Sequence, residues 1–165
     1  MSTPYQLFTF EDDGTMPNNP NFPVIVYPGA FKNHPEEIES TFHLNNWRNS
    51  WVDSVFDYHH YHSDAHEVLG VSAGSALLIL GGQRGKLIEV KTGDVIVLPA
   101  GTGHKKLSSS PDFQIVGAYP NGQDFNIRTG NSKERPQVLK EIQEVHDPST
   151  DPVYGNHGQV LTQWN

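Results

Sequence analysis

The stretch HYHSDAHEVLGVSAG, which runs from His60 to Gly74, places three histidines and a glutamate within eight residues of an otherwise β-rich sequence. Imidazole and carboxylate side chains are costly to bury without a partner, so such a cluster requires something that compensates for the lost hydration. A divalent metal ion is one candidate for that partner.

Strand geometry predicts which side chains of the cluster share a face of the sheet. Side chains two residues apart in a strand share a face, so His60 and His62 are predicted to point the same way. The following strand offers either His66 or Glu67 to that side, but not both without a bulge. Glu67 shares its parity with Leu69 and is the better inward candidate. Two imidazoles and a carboxylate can occupy one side of a divalent metal and leave other positions open.

A second stretch, GDVIVLPAGTGHKKLS, runs from Gly93 to Ser108. Pro99 ends a β-rich run, and the glycines after it permit a tight reversal of the chain. His104 is therefore predicted to open the next strand.

Taken together, the two stretches resemble the paired motifs of the cupin family, G(X)5HXH(X)3–4E(X)6G and G(X)5PXG(X)2H(X)3N. The first motif is matched by His60, His62, Glu67 and Gly74, with Ser54 at its leading Gly. The second is matched by Gly93, Pro99, Gly101 and His104, with Ser108 at its Asn. The stretches HEVLGVSAGSA, GAYPNGQDFN and DPVYG are similar to single-domain bacterial cupins of the YjlB-like group.

This resemblance implies a jelly-roll β-sandwich with a divalent metal inside it. The ligands that it implies are His60, His62, Glu67 and His104. Neutral imidazole and carboxylate donors suit iron, manganese, nickel, zinc or copper, and ligand type does not choose among them. The resemblance also implies a homodimer.

Glycine-punctuated β-rich runs from Val55 to about Tyr119, the first of them VFDYHHYH, predict an all-β antiparallel sandwich or barrel. Before them, strands are expected at Tyr5–Phe10 and Phe22–Tyr27, at the edge of the main sheet, and a helix at Asn33–Trp47. A second helix is expected at roughly Pro136–Glu144, with Val138, Leu139 and Ile142 on its apolar face. We expect one cupin domain over residues 1–165, with N-terminal strands and helix in 1–50, the core barrel in 51–120 and an extension in 121–165.

Composition excludes several classes of function. A formal charge of −8 and the scatter of the 11 Lys and Arg residues leave no basic stripe for nucleic acid, and a membrane partner is not expected either. No cysteine is present, which excludes disulfides and thiolate catalysis. The N-terminus shows no secretory signal and no apolar run is long enough to span a bilayer, so a cytoplasmic protein is expected.

Two further side chains are candidates for substrate contact. Tyr58 has the parity of His60 and is predicted either to donate a proton or hydrogen bond to a metal-bound group or to pack in the core. Lys106 has the parity of His104 and is predicted either to neutralise an anionic substrate or to belong to a solvated surface pair with Lys105.

Two functions follow as hypotheses. The first is a metal-dependent enzyme acting on a small polar metabolite such as a sugar, keto-acid or diol, as an isomerase, an epimerase or a dioxygenase-type cupin. The second is a non-catalytic module that senses a metal or a small molecule. A purely structural role is disfavoured, because aliphatic side chains would fill the inward positions at lower cost.

Overall fold

The structure, a computed structural model, describes residues 4–165 and consists mainly of antiparallel strands. The strands are β1 (Gln6–Phe8), β2 (Val24–Tyr27), β3 (Trp47–Asp53), β4 (Glu67–Ala73), β5 (Ser75–Leu80), β6 (Lys86–Lys91), β7 (Val95–Leu98), β8 (His104–Ser109) and β9 (Gln114–Pro120). The helices are α1 (Ile38–Leu44), α2 (Gln137–Glu144) and α3 (Val160–Gln163), and single 3-10 turns lie at Pro35–Glu37 and Ser132–Glu134. The predicted all-β fold class is confirmed.

The strands form a six-stranded sheet in the order β1-β2-β7-β4-β9-β3 and a three-stranded sheet in the order β6-β5-β8. Alternate side chains of the larger sheet point toward the smaller one, as the two-residue period of a strand requires. The apolar cluster between them includes Val24, Val26, Leu69, Val71, Leu78, Leu80, Ile96, Leu98 and Ile115. This cluster is the inner core on which the candidate site rests.

The opposite face of the larger sheet is also buried. Its side chains pack against α1 and against the C-terminal segment, in a cluster that includes Ile25, Tyr27, Phe42, Val68, Val97, Val116, Val160 and Trp164. All four residues of β7 are therefore buried, which explains its continuous apolar sequence VIVL. The segment after residue 120 thus supplies part of the outer core.

Two features of the N-terminal half differ from the sequence-based expectation. The predicted helix Asn33–Trp47 extends too far, because α1 ends at Leu44 and Asn46 adopts a positive φ of 64°. Trp47 instead begins β3, which pairs with β9. The strand was missed because its sequence WRNSWVD is polar and lacks the alternation that predicts strands.

The predicted strand through Val55–His62 is also wrong as a regular element. Only His60 and Tyr61 pair there, in isolated bridges to His104 and Arg128. The alternation of side chains nevertheless persists at this point. Tyr61 packs away from the histidines in a buried cluster with Met16 and Val138.

The second predicted helix is confirmed as α2. Val138 and Ile142 are buried, whereas Leu139, which was expected on the same apolar face, is 37% exposed. Within residues 4–165, no helix has the length and apolar character needed to cross a membrane.

His66 connects β4 to the outer layer rather than to the inner core. Its ring lies 4.8 Å from the ring of Trp164 and 6.0 Å from that of Phe22. The Ala100 N–H donates a hydrogen bond to Nδ1 at 2.8 Å, so the neutral ring carries its proton on Nε2. Burial lowers the pKa of His66 to about 3.

We predict that Gly70→Ala lowers the free energy of unfolding by about 1–3 kcal/mol through overpacking. A Cβ at this position would lie 2.6 Å from Ile38 Cγ2 and 3.0 Å from a ring carbon of Phe42, so α1 would have to move. Urea denaturation measures the loss. In an Ile38→Ala background the same substitution should be much less destabilising, and exposed Glu89→Ala is the control. An equal loss in both backgrounds would contradict the proposed clash.

We also predict that metal-free protein loses stability between pH 7 and pH 5 partly through His66. Because the pKa of this group is lowered on folding to about 3, its contribution is complete above the unfolded pKa and falls as the pH drops below it. At ~1.4 kcal/mol per pH unit, the wild type should lose roughly 2 kcal/mol more than His66→Asn. Urea unfolding at both pH values measures the difference. His157→Asn, at an exposed position, should follow the wild type.

Candidate metal centre

The candidate site lies at one end of the barrel, where three backbone segments meet. His60 precedes β4, and His104 opens β8 as predicted. The two residues exchange backbone hydrogen bonds, from His60 N–H to His104 O at 3.2 Å and from His104 N–H to His60 O at 2.9 Å. Directly paired antiparallel residues present their side chains on the same face, and the two imidazole centroids are 4.0 Å apart.

His62 and Glu67 complete the group. Glu67 is the first residue of β4 and pairs with Leu98 at the end of β7. Its Oε1 atom lies 3.3 Å from His62 Nε2 and 3.4 Å from His104 Nε2. One ring nitrogen from each of His60, His62 and His104 lies within 4.8 Å of the others. The structure therefore brings together all four side chains expected to be ligands, and all four are buried.

Backbone carbonyls set the orientation of the three rings. Nδ1 lies 3.0 Å from Tyr58 O in His60 and 3.0 Å from Thr102 O in His104, and in His62 it contacts Asn126 O. A carbonyl oxygen only accepts hydrogen bonds, so each Nδ1 carries a proton and a neutral ring presents its Nε2 lone pair to the centre. This arrangement is typical of histidines that bind metals through Nε2.

The loop after β9 holds His62 in place. Asn126 accepts the His62 ring hydrogen through its backbone oxygen, and its side-chain Oδ1 accepts from the Ser63 N–H at 2.9 Å. The Asn126 N–H in turn donates to Asp64 Oδ1 at 2.9 Å. The stretch GAYPNGQDFN, part of the resemblance to the YjlB-like group, thus supports one of the candidate ligands.

Glu67 shows why the group needs a cation. Oε2 accepts a hydrogen bond from the Tyr119 hydroxyl at 2.6 Å, and that hydroxyl accepts one from Trp51 Nε1 at 2.8 Å. Oε1 is buried and, among the described residues, has no hydrogen-bond partner. Its lone pairs instead face the Nε2 atoms of His62 and His104, a contact that is repulsive when both nitrogens are unprotonated. A proton on one of these nitrogens, or a divalent cation between them and Oε1, would remove the repulsion. The donors present therefore fit a divalent metal.

The electrostatics of the metal-free site agree with this picture. Burial alone would raise the pKa of Glu67, but His62 and His104 hold it below its usual range, so the carboxylate is ionised. Burial alone would lower the pKa of His62, but Glu67 outweighs burial and raises it. Burial, assisted by His104, lowers the pKa of His60 to about 3. A proton on His62 thus compensates Glu67 until a metal displaces it.

A cavity of about 220 Å³ opens above the four side chains. Its lining comprises Trp51, Val52, Asp53, Ser54, Val55, Phe56, His60, His62, Glu67, Leu69, His104, Ile115, Tyr119, Phe125 and Ile127. Phe125 stacks on Tyr119 at a centroid distance of 4.3 Å and meets the His62 ring edge-on at 5.2 Å. The metal-ligand side chains are thus reachable by a small molecule.

Tyr58 and Lys106, the two candidates for substrate contact, do not line this cavity. The Tyr58 ring is 42% exposed and stacks on Phe56, although it also lies 5.6 Å from the His60 ring. Lys106 Nζ donates to Ser54 Oγ at 2.9 Å, and Ser54 is itself one of the lining residues. Their roles in substrate contact stay predictions that would require side-chain movement.

Sequence reasoning did not single out Tyr119 or Trp51. A signal for Tyr119 was available, because it shares strand parity with Ile115, which faces the inner core. No such signal existed for Trp51, whose strand was not predicted. Gly117 leaves room for the Trp51 indole, since a Cβ there would lie 2.4 Å from it.

Comparisons with known proteins agree with this fold. The sequence profile of the cupin family matches residues 58–142. The chain is 45% identical over 159 residues to "Uncharacterized protein YjlB" of Bacillus subtilis (strain 168), covering 96% of each protein.

Similar solved structures include the WlaRB TDP-quinovose 3,4-ketoisomerase from Campylobacter jejuni (15% identity, 55% of this chain and 73% of that chain, TM-score 0.43). Another is acireductone dioxygenase from Bacillus anthracis (20% identity, 62% of each chain, TM-score 0.36). No conclusion about activity follows from structural likenesses this distant. The family profile and the match to YjlB, however, show that this chain belongs to the cupin family.

Proposed function

We propose that this chain is a metal-binding cupin that acts on a small molecule through a divalent metal held by His60, His62, Glu67 and His104. The observation that carries the proposal is a group of ring nitrogens from His60, His62 and His104 within 4.8 Å of one another. Two of these rings also contact the otherwise unpartnered Oε1 of the buried Glu67 carboxylate. Such a group needs a compensating positive charge, which a proton on His62 supplies without metal and a divalent ion at the centre would supply when bound. The open cavity above it supplies the access that a purely structural metal would not need.

Different side chains of the site would bind the metal, position its ligands and orient the substrate. The three histidines and Glu67 hold the ion, while Tyr119 fixes the Glu67 carboxylate through a 2.6 Å hydrogen bond. The aromatic walls restrict water and orient the ligand. When bound, a divalent ion polarises a carbonyl or hydroxyl oxygen, chemistry that suits the isomerase, epimerase and dioxygenase-type reactions expected from the sequence. Iron, manganese, nickel, zinc and copper all remain candidates.

One observation favours the second candidate, a non-catalytic sensing module. Among the described residues that line the cavity, the titratable side chains on its floor are the four metal-ligand candidates and Tyr119, which is already bonded to Glu67. Asp53 is the remaining ionisable side chain of the lining. A reaction that needs a free general base has little to use here. The homodimer and the cytoplasmic location remain predictions.

We predict that protein purified without added metal contains close to one transition-metal ion per chain by elemental analysis. His60→Ala and His104→Ala should each lose most of it, because each removes one of the converging donors. His59→Ala is the matched control, since this neighbouring side chain lies outside the donor group.

Thermal unfolding with and without added metal provides a second readout in case a variant folds poorly. Metal should raise the Tm of the wild type but not of the two variants. Full metal content in His60→Ala and His104→Ala, or none in reconstituted wild type, would contradict the proposed site.

Turnover by the metal-loaded protein should separate the enzyme from the sensor. Sugars, keto-acids and diols form the panel, and product formation that disappears in His104→Ala would support the enzyme. Saturable binding without turnover of any member would favour the sensing module instead.

A further inference from the structure

The lining of the cavity is polar at the candidate metal centre and mainly apolar elsewhere. Its buried polar side chains are the three histidines, Glu67 and Tyr119, which we call the floor. The walls beside them are formed mainly by Val55, Leu69, Ile115, Phe125 and the Trp51 indole. The Trp51 N–H is already donated to Tyr119, so the walls offer little to a ligand that requires many hydrogen bonds.

The mouth of the cavity is unusually apolar for an exposed surface. Val52, Phe56 and Ile127 line it and are 48%, 43% and 45% exposed. Tyr58, also exposed, stacks on Phe56 at a centroid distance of 5.0 Å and an interplanar angle of 14°. Apolar side chains gathered at the entrance of a cavity are typical of a site that binds apolar surface.

The charged side chains at the mouth of the cavity disfavour a ligand with an anionic group at that end. No Lys or Arg is among the residues of the described chain that line the cavity, whereas Asp53 places a carboxylate there. Lys106 does not line the cavity, and its ammonium donates a hydrogen bond to Oγ of the lining residue Ser54. A phosphate or carboxylate held away from the floor, among the walls or at the mouth, would therefore lose hydration without gaining an ion pair.

We infer that the cavity binds a molecule with an uncharged, apolar body and a pair of oxygen atoms at one end, such as an aryl hydroxyketone. The oxygen end meets the floor, and the body lies between the walls and reaches Phe56. Sugars and phosphate esters are disfavoured because their hydroxyl or phosphoryl groups would face apolar walls unpaired. This inference rests on the proposed metal site and departs from the sugar, keto-acid or diol expected from the sequence.

Three probes with the same hydroxyketone end test the inference by isothermal titration calorimetry on metal-loaded protein. They are α-hydroxyacetophenone, hydroxyacetone and dihydroxyacetone phosphate, whose bodies are phenyl, methyl and phosphooxymethyl. The phenyl probe should bind at least about tenfold more tightly than the methyl probe, because it buries more apolar surface. The phosphate probe should bind more weakly than both.

Substitutions at the mouth should change the relative affinities of the three probes in a defined way. Phe56→Ala should reduce the preference for the phenyl probe about fivefold or more. Ile127→Lys should strengthen binding of the phosphate probe and weaken that of the phenyl probe. Leu87→Lys is the matched control, because Leu87 is an exposed strand residue outside the cavity lining, and it should alter neither.

The outcomes distinguish the two proposals. If the protein holds its metal but prefers the phosphate probe, or binds none of the three, the inference is overturned while the metal site stands. Loss of phosphate binding in Lys106→Met would likewise overturn it and place Lys106 at the ligand. A protein that holds no metal would overturn the proposed function and the inference with it.

Discussion

The site depends on one buried carboxylate. Glu67 opens the central strand β4, and its position there is fixed by backbone pairing with Leu98. One of its oxygens is compensated by Tyr119, whereas the other faces two imidazole nitrogens at 3.3 and 3.4 Å. A buried ionised group is tolerated only when its charge is balanced, so the site must hold a positive charge next to Glu67, either a proton on His62 or a bound metal ion. The histidines are arranged for this purpose, with each Nδ1 bound to a backbone oxygen.

The fold supplies rigidity to this arrangement from both sides of the larger sheet. The inner face of β4 carries Glu67 and Leu69 into the barrel, while its outer face places Val68 and Gly70 beneath α1. His66, immediately before the strand, contacts the C-terminal Trp164. The outer layer therefore fixes the strand from which the carboxylate projects, which gives the C-terminal extension a structural role near the site.

Local sequence patterns predicted much of the site. Two-residue alternation selected His60, His62 and Glu67, and the turn after Pro99 placed His104 at the start of a strand, as the structure has it. These features depend on residues close together in the chain. The strand around His60 was predicted from the same alternation, but the backbone there pairs only at isolated bridges, so the parity was right while the element was not.

The remaining parts of the site depend on contacts between distant segments. Trp51 reaches Tyr119 only because β3 pairs with β9, and a polar strand with a register shift leaves little local signal. The support of His62 by Asn126 spans 64 residues and likewise has no local signature. The apolar mouth brings together two separate segments of the chain, one with Val52 and Phe56 and one with Ile127. Local patterns in the sequence predicted a polar metabolite, and the inferred apolar ligand depends on this pairing of distant segments.

X-ray absorption spectroscopy at the edge of the resident metal tests the central claim most directly, because it counts the atoms bound to the ion. The account predicts a first shell with three imidazole nitrogens and at least one carboxylate oxygen, and the loss of one imidazole in His104→Ala. A shell made only of oxygen atoms, or an unchanged imidazole count in that variant, would contradict the account.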